Sequence, residues 1–361
     1  MNIIPDYGKT RLLKRLLLYK SVTARHSPTM DTVSNNAVCM QQNISDAAVP
    51  VALLKYKDGD ALRLAVGSLL DASQLPKFVP LRPGCRVLVK PNLLMANPLA
   101  CTTPEVVAAA CAWLLDYGAQ VRVADSPGFG RACTVARRVG LAEALRPLGL
   151  NVENMGAASI VSLPLQDLRS VQVRFHVARC ALESDFLLSV PRVKAHSQML
   201  LTLSVKNCFG CVPGLHKAVA HAREGRDPLL FAECLAALWA VLPPVAALAD
   251  GITAMHETGP SKGKPFPLGL LGASASAVAL DETLYAILGK TPTDVPLGAA
   301  LTRRKAWGTA AAGTAVAFPL LCPKDIDATG FCLPTQLAHT SFHPARFVRS
   351  CIRRIMAALQ R

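Results

Sequence analysis

The sequence is short of acids and of aromatic side chains, and it carries few charges of either sign. Charged residues make up 17% of its 361 positions and aromatic residues 5%, against 51% apolar residues. This composition excludes a largely disordered chain and is typical of a globular α/β protein with a large core. The 24 acids face 39 lysines and arginines, which gives a formal net charge of +15.

The shortage of acids is greatest at the two ends of the chain. About two thirds of the excess positive charge lies in residues 1–30 and 331–361, where the basic residues meet a single acid, Asp6. Such terminal charge can reflect solubility or non-specific attraction to polyanions. We therefore infer no specific nucleic-acid partner from it.

The N-terminus also lacks a long uninterrupted apolar segment. Basic residues break the apolar run in MNIIPDYGKTRLLKRLLLYKSV, so this stretch is a poor secretory signal and too short for a transmembrane segment. The twelve cysteines are scattered singly apart from one C-x-x-C, Cys208 and Cys211. Because no export signal is recognisable, this usage favours reduced thiols and a cytoplasmic location.

The pattern of polar and apolar residues divides the chain into three segments. Residues 1–47 are predicted to be a basic, largely disordered extension and linker, with Met30 as an alternative start. Residues 48–335 are predicted to form a single α/β domain. Residues 336–361 are predicted to form a basic amphipathic helix.

Short β-branched runs alternate with helical stretches from Val49 onward. Strand patterns such as VALLKY and RVLVKPNLL are followed by helical patterns such as DALRLAVGSLLDAS and PEVVAAACAWLLDYG. This alternation predicts a mostly parallel, Rossmann-like sheet with helices on both faces. The second half of the domain is less regular, and there we expect a strand over LTLSV and one or two strands within KAWGTAAAGTAVAFPLL.

Polar side chains follow five of the predicted strands. In open parallel sheets, ligands bind beyond the carboxyl ends of the strands, so these side chains are expected to converge in one cleft. Lys217 and His221 join them, because residues four apart share one face of a helix. The candidate site residues are Lys90, Asn92, Asp125, Lys194, His196, Lys206, Asn207, Lys217, His221 and Asp250.

The stretch from residue 190 to residue 221 is apolar enough to be buried, yet it contains lysines and histidines and no acid. A buried ammonium group costs several kcal/mol unless a counter-charge is near. Either Asp125, Asp250 or Asp281 pairs with these lysines, or a bound anion does. For any one lysine, a solvated surface position is the ordinary alternative.

The remaining motifs are incomplete. Cys208 and Cys211 supply half of a metal site or a redox pair, and structural cysteines are the favoured interpretation because no second C-x-x-C completes the site. The histidines could bind a metal, but the lysines beside them would repel a cation, so we predict no metal site. The G-x-G at 128–130 lacks the third glycine of a dinucleotide fingerprint and indicates a tight turn before a helix. The loop HETGPSKGKP at 256–265 is either a mobile lid or an ordinary surface loop.

Several of these residues stand in motifs that resemble those of a known family. The motifs are VKPN at 89–92, K-x-H at 194–196, KN-x-FG at 206–210 followed by Lys217 and His221, DGI at 250–252, GP-x-x-G at 259–263 and Asp281 in VALD. In this order, over about residues 48–335, they resemble the bacterial and archaeal family called domain of unknown function 362.

The resemblance also bears on cofactors. Many members of the family are described as iron–sulfur proteins, because a ferredoxin-like module with two cysteine-rich motifs accompanies this domain. After residue 335 the present chain has only Cys351. The resemblance therefore implies the main domain without its cluster module, and an iron–sulfur cofactor is not expected.

Two functions of different classes remain as hypotheses. The first is an enzyme or binding protein for an anionic small molecule, a carboxylate or a phosphate, held by four lysines: Lys90, Lys194, Lys206 and Lys217. In this hypothesis His196 or His221 is the general acid or base, and Asp250 orients one of them. The alternative is an iron–sulfur or redox protein that uses Cys208 and Cys211.

Overall fold

The structure is a computed structural model that describes residues 47–128, 130–166 and 173–337. Almost all of the predicted N-terminal extension (1–47) and C-terminal helix (336–361) lies outside the described residues. The strands are β1 (Val49–Lys55), β2 (Arg86–Pro91), β3 (Gln120–Asp125), β4 (Val152–Asn154), β5 (Ala158–Leu163), β6 (Val173–Ala178), β7 (Phe186–Val190), β8 (Arg192–His196), β9 (Leu200–Thr202), β10 (Val245–His256), β11 (Lys264–Phe266), β12 (Leu270–Ser274) and β13 (Val316–Ala317). The α-helices are α1 (Leu62–Ala72), α2 (Leu75–Phe78), α3 (Pro104–Asp116), α4 (Ala132–Arg138), α5 (Leu141–Leu145), α6 (Arg179–Leu182), α7 (Ser204–Asn207), α8 (Gly214–Arg223), α9 (Pro228–Val241), α10 (Ala277–Ile287) and α11 (Pro296–Arg303).

The main sheet runs in the order β13-β1-β12-β10-β7-β2-β3-β4. Neighbouring strands from β10 to β4 are parallel, whereas β12 is antiparallel to both β1 and β10. The predicted α/β class and mostly parallel sheet are confirmed. The first strand is not beside the second, however: β1 lies at the other end of the sheet, between β12 and β13.

The central strands are apolar because helices cover both faces of the sheet. Every residue of β7 is buried, as are the last five residues of β2. Helices α1, α3 and α5 pack together over one face, and α7, α9 and α10 pack over the other. The sequence of a strand covered on both faces is a continuous apolar run, whereas polar and apolar residues alternate in a strand with one exposed face.

Local signals set the ends of several helices. Pro104 occupies the first turn of α3, where its missing N–H group costs nothing, and Gly118 adopts a left-handed φ of +73° just after the helix. Asp227 caps α9 by accepting hydrogen bonds from the backbone N–H groups of Leu229 and Leu230. Gly140, whose φ is +85°, separates α4 from α5.

One prediction for the second half is wrong, and another is confirmed over two residues only. The strand expected over LTLSV stops at Thr202, and a short helix, α7, begins at Ser204, because the Asp281 carboxylate accepts hydrogen bonds from the backbone N–H groups of Ser204 and Val205. Most of KAWGTAAAGTAVAFPLL forms turns, and only Val316–Ala317 is a strand. Lys206 and Asn207 therefore lie on a helix rather than at a strand end.

Candidate functional site

The buried ion pair between Lys90 and Asp125 lies at the carboxyl edge of the sheet. Lys90 is near the end of β2 and Asp125 ends β3, and these strands are parallel neighbours, so the side chains meet: Nζ lies 2.8 Å from Oδ1. The other carboxylate oxygen accepts a hydrogen bond from the Leu93 N–H group at 2.8 Å, and Oδ1 accepts one from the Ser126 N–H group at 2.7 Å. The charge of Lys90 is thus balanced inside the protein.

Asn207 and Asn92 extend this pair into a network. The Asn207 side-chain oxygen accepts hydrogen bonds from Lys90 Nζ at 3.0 Å and from Asn92 Nδ2 at 3.1 Å. Asn92 Oδ1 in turn accepts a hydrogen bond from Lys194 Nζ, which also donates to the Ala100 carbonyl oxygen at 3.0 Å. Burial lowers the pKa of Lys194 to about 7, and the charges of Arg192 and Lys90 lower it further.

Lys206 is buried without a hydrogen-bond acceptor or carboxylate partner among the residues that the structure describes. Its side chain, on α7, is 8% exposed, and its Nζ lies 5.1 Å from the ring centroid of Phe209 and 5.7 Å from that of Phe231. The charged residues near it are cations, Lys217, Lys194 and Lys90. Burial, followed by this repulsion, lowers the pKa of Lys206 to about 7.

His196 ends β8 close to Lys206 and is buried. Its Nδ1 accepts hydrogen bonds from the backbone N–H groups of Gln198 at 3.1 Å and Met199 at 3.2 Å. Burial lowers the pKa of His196 well below its usual range, and the charges of Lys206 and His221 lower it further. The ring is therefore neutral near pH 7, and with Nδ1 acting as an acceptor its proton is on Nε2.

Helix α8 brings Lys217 and His221 to the same neighbourhood, as their spacing predicts. Lys217 Nζ donates a hydrogen bond to the carbonyl oxygen of Ser126, next to Asp125, and lies 5.9 Å from the centre of the Phe209 ring. The His221 ring packs against Phe209 and Phe231, with centroid distances of 5.0 and 4.8 Å. The same two rings thus contact both Lys206 and His221.

Asp250 has a different set of contacts from the one expected. It lies in the middle of β10, fully buried, where its carboxylate is 3.4 Å from Arg192 Nη1 and accepts a hydrogen bond from the Thr103 N–H group at 2.7 Å. These bonds tie β8 and the start of α3 to β10. Asp250 therefore binds an arginine and a helix terminus, whereas we had expected it to orient a histidine.

All the predicted site residues except Asp250 are joined by hydrogen bonds or electrostatic contacts into one group at this edge of the sheet. Asp250 is connected to the group through Arg192, whose charge acts on Lys194. Four residues of the neighbourhood were not predicted: Arg192, Phe209, Gly210 and Phe231. A signal for Phe209 was present in its spacing, three residues after Lys206, which places both on one side of a helical turn.

Gly210 shows why the segment after α7 has so little side-chain bulk. A Cβ atom at this position would overlap both the Lys90 side chain and the Asp125 carboxylate. Glycine allows the backbone to approach this ion pair closely. The KN-x-FG sequence therefore supplies Lys206, Asn207, an aromatic contact and a close backbone approach within five residues.

Cys208 and Cys211 lie in the same turn, beneath the network, and both are fully buried. Burial raises the pKa of Cys208 to about 12 and that of Cys211 well above its usual range, so both are neutral thiols at pH 7. Within the described ranges, no three histidine, cysteine or acidic side chains are grouped closely enough to hold a metal ion.

The loop at 256–265 is the turn of a hairpin between β10 and β11 and packs against β8. The Gly259 carbonyl oxygen accepts a hydrogen bond from the Ser197 N–H group at 3.2 Å. A Cβ atom at Gly259 would overlap the carbonyl oxygen of Ala195, so the glycine is required for this approach. The loop therefore forms one wall beside His196.

The sequence profile of the family described as Domain of unknown function (DUF362) matches residues 87–286, which include all of the predicted site residues. The chain belongs to this family. A further DUF362-type relative is the "Thylakoid-associated protein sll1697" of Synechocystis sp. (strain ATCC 27184 / PCC 6803 / Kazusa), which is 35% identical over 308 residues, or 83% of this chain and 92% of the relative. The predicted family is thereby confirmed.

Among solved structures, this DUF362 protein is similar to the lactate racemase apoprotein from Thermoanaerobacterium thermosaccharolyticum. The sequences are 9% identical, the TM-score is 0.38, and the match covers 55% of this chain and 50% of the racemase chain. In the part of the chain that the structure describes, no helix is both long and apolar enough to cross a membrane.

Proposed function

We propose that this protein binds a small carboxylate or phosphate through Lys206, with Lys194 and Lys217 beside it. The observation that carries the proposal is the buried Lys206 ammonium group, whose charged neighbours are cations. Within the described residues its Nζ has neither a hydrogen-bond acceptor nor a carboxylate partner. Such a charge is costly inside a protein unless an anion neutralises it.

The three acids that might have neutralised these lysines have other partners. Asp125 pairs with Lys90, and Asp250 pairs with Arg192. Asp281 accepts hydrogen bonds from the backbone at the start of α7. The excess positive charge around Lys206 is therefore available for a ligand, which supports an external anion over an internal counter-charge.

The histidines supply hydrogen bonding and proton transfer in this proposal. His196 is neutral with its proton on Nε2, so it supports a role as a donor to a ligand oxygen or as a general acid. His221 is the second candidate acid or base, because it packs on the same two aromatic rings as Lys206. We omit Asp250 from the catalytic group, since its carboxylate is bonded to Arg192 and Thr103.

The proposed ligand is small, and we keep the absence of a specific nucleic-acid partner as a prediction. The cytoplasmic location also stays a prediction. The name of the cyanobacterial relative states an association with thylakoids and not a cytoplasmic location.

Thermal unfolding tests the anion site. Melting temperatures are compared in chloride, phosphate, sulfate and succinate at equal ionic strength, for the wild type, Lys206→Met and Lys57→Met. Lys57 is an exposed lysine after β1 and serves as the matched control. We expect at least one of the three anions to raise the melting temperature of the wild type and of Lys57→Met by several degrees relative to chloride through mass action, and to leave Lys206→Met at its chloride value.

The comparison between variants separates binding from the general stabilisation that phosphate and sulfate give to many proteins. Without ligand, Lys206→Met should be as stable as the wild type or more stable, because it removes an unneutralised buried charge. An equal anion effect in all three proteins contradicts the proposal. Equilibrium dialysis of the wild type with inorganic phosphate or succinate gives the same decision if Lys206→Met does not fold.

A further inference from the structure

The two buried lysines with lowered pKa values differ in their partners. Lys194 donates hydrogen bonds to Asn92 Oδ1 and to the Ala100 carbonyl oxygen, and it is 1% exposed. Lys206 has no such acceptors among the described residues and is 8% exposed. Lys194 is therefore fixed as a donor within the protein, whereas the Lys206 nitrogen is not committed to an internal bond.

We propose that Lys206 is a nucleophile that forms a Schiff base with the carbonyl group of an anionic substrate, such as a keto acid or a phosphorylated ketone. This inference rests on the proposed function, because the anion site would hold the carboxylate or phosphate of the same molecule. It adds the substrate class and the covalent step.

With a pKa of about 7, Lys206 is present near neutral pH both as the ammonium form that attracts an anion and as the neutral amine, which is the nucleophilic form. A lysine is activated for imine formation when it is desolvated in an apolar pocket or placed next to another cation. Lys206 meets both conditions, with Phe209 and Phe231 around its ammonium group and Lys217, Lys194 and Lys90 as its charged neighbours. The attraction between a cation and an aromatic ring is weaker than the cost of burying the charge.

The covalent step balances without a further reagent. The lone pair of neutral Lys206 Nζ forms a bond to the carbonyl carbon, and the π electrons of the carbonyl group move to its oxygen. A proton passes from the nitrogen to this oxygen, which gives a carbinolamine. The hydroxyl group then takes up a proton and leaves as water while the nitrogen lone pair forms the C=N bond, which gives a protonated imine.

Neighbouring groups are suited to these proton movements and to holding the substrate. His196, with its proton on Nε2, can donate to the developing alkoxide or hydroxyl group. His221 packs against the same two aromatic rings as Lys206 and can accept the proton that leaves the nitrogen. Lys217, which lies over the same Phe209 ring as Lys206, remains as the cation beside the carboxylate or phosphate.

Reductive trapping tests the inference. The wild-type protein is incubated with pyruvate or dihydroxyacetone phosphate and sodium cyanoborohydride, digested, and mapped by mass spectrometry. We expect the peptide containing Lys206 to gain the mass of the substrate minus water plus two hydrogens. Lactate, which has the same charge as pyruvate but no ketone group, should give little product. Acetone, which has a ketone group but no charge, should also give little product.

The dependence on pH and on the lysine distinguishes a site from random labelling. Trapping at Lys206 should rise with a midpoint near pH 7, because the pKa of this lysine is lowered to about 7. The groups facing Lys206 that titrate or carry charge are Lys90, Lys194, Lys217, His196 and His221. Lys57→Met should keep the adduct on the Lys206 peptide, and Lys206→Met should lose it.

The outcomes separate this inference from the proposed function. If neither carbonyl compound is trapped at Lys206 while phosphate or succinate still raises the melting temperature, the covalent step is wrong and the anion site stands. Equal labelling of Lys57 and Lys206 also overturns the inference. Peptide mapping of the wild type decides the question even if Lys206→Met fails to fold.

Discussion

Each buried lysine of the site has a different set of partners. Lys90 has a carboxylate, Asp125, 2.8 Å away, and Lys194 has two neutral oxygen acceptors. Lys206 has aromatic rings, which stabilise its charge least. Since the cost of a buried charge depends on its partner, removing each lysine has a different effect: loss of Lys90 strands Asp125, whereas loss of Lys206 relieves repulsion.

The lowered pKa of Lys206 makes a prediction about pH. The pKa is about 7 in the folded protein and 10.5 in the unfolded chain, so between these values the unfolded chain binds more protons and stability rises with pH. One such lysine contributes up to about 1.4 kcal/mol of unfolding free energy per pH unit. We expect the free energy of unfolding of Lys206→Met to rise less steeply than that of the wild type between pH 7 and pH 8.5.

Urea unfolding in buffers free of phosphate and carboxylate measures both slopes. Titration of the cysteines affects wild type and variant alike and cancels in the difference. Lys57→Met, which removes an exposed lysine, should keep the wild-type slope. Parallel curves for Lys206→Met and the wild type would contradict the lowered pKa.

At the scale of elements, the position of Lys206 depends on the short helix α7. Four residues cannot form a stable helix by themselves, because the first turn fixes several residues for one hydrogen bond. The carboxylate of Asp281, on α10, accepts hydrogen bonds from Ser204 and Val205 at 2.8 and 2.9 Å and so begins the helix. The geometry of the site therefore depends on a residue in another helix.

Replacing Asp281 by alanine should disturb α7. The substitution leaves two buried N–H groups without acceptors, and we expect a loss of about 3 kcal/mol of unfolding free energy together with a smaller anion-dependent rise in melting temperature. Asp294 also accepts a hydrogen bond from a backbone N–H group, that of Thr291, but in an exposed turn. Asp294→Ala should lower the unfolding free energy less than Asp281→Ala does and leave the anion effect unchanged.

Denaturant unfolding and the anion-dependent melting shift measure these two effects separately. If Asp281→Ala destabilised the protein while keeping the full anion effect, α7 would not position the ligand site. If both variants lost the same unfolding free energy, burial would add nothing to the stabilisation by the hydrogen bonds to Asp281.

The same element shows where prediction from sequence succeeds and fails. Sequence alone can predict β2, β3 and β7, because each is a continuous apolar run of neighbouring residues. Since β2 and β3 are parallel neighbours, Lys90 and Asp125 reach the same edge of the sheet independently of the loop conformations. The helical state of α7 was not predictable, because its start is set by Asp281, 77 residues from Ser204. The contacts of Asp250 could not be predicted for a similar reason. Its partner Arg192 begins β8, which follows β7 after Pro191, and β10 pairs first with β7 and then with β8.

At the scale of the whole molecule, the chain combines a large apolar core with a buried cationic group and buried thiols. The described part contains no grouping of three or more metal-binding side chains, and Cys208 and Cys211 provide at most two ligands, whereas a conventional cluster needs four. We therefore expect the full-length protein, purified without oxygen, to hold well under one iron per chain. Iron and acid-labile sulfide assays measure this directly, and stoichiometric iron and sulfide would favour the redox alternative.

The place of β1 in the sheet has a consequence for how the chain folds during synthesis. Strands β2, β3, β4 and β7 have parallel partners that are made within about 100 residues of one another, but Val51 of β1 pairs with Ser274 of β12. At about 5–20 residues per second, synthesis of the roughly 220 residues between them takes about 10–45 s. During that time an apolar strand has both edges unpaired, which is the condition that invites association between chains. The first strand to be made is thus among the last to be placed, and α1 is the neighbouring element that can pack on β1 before β12 is made.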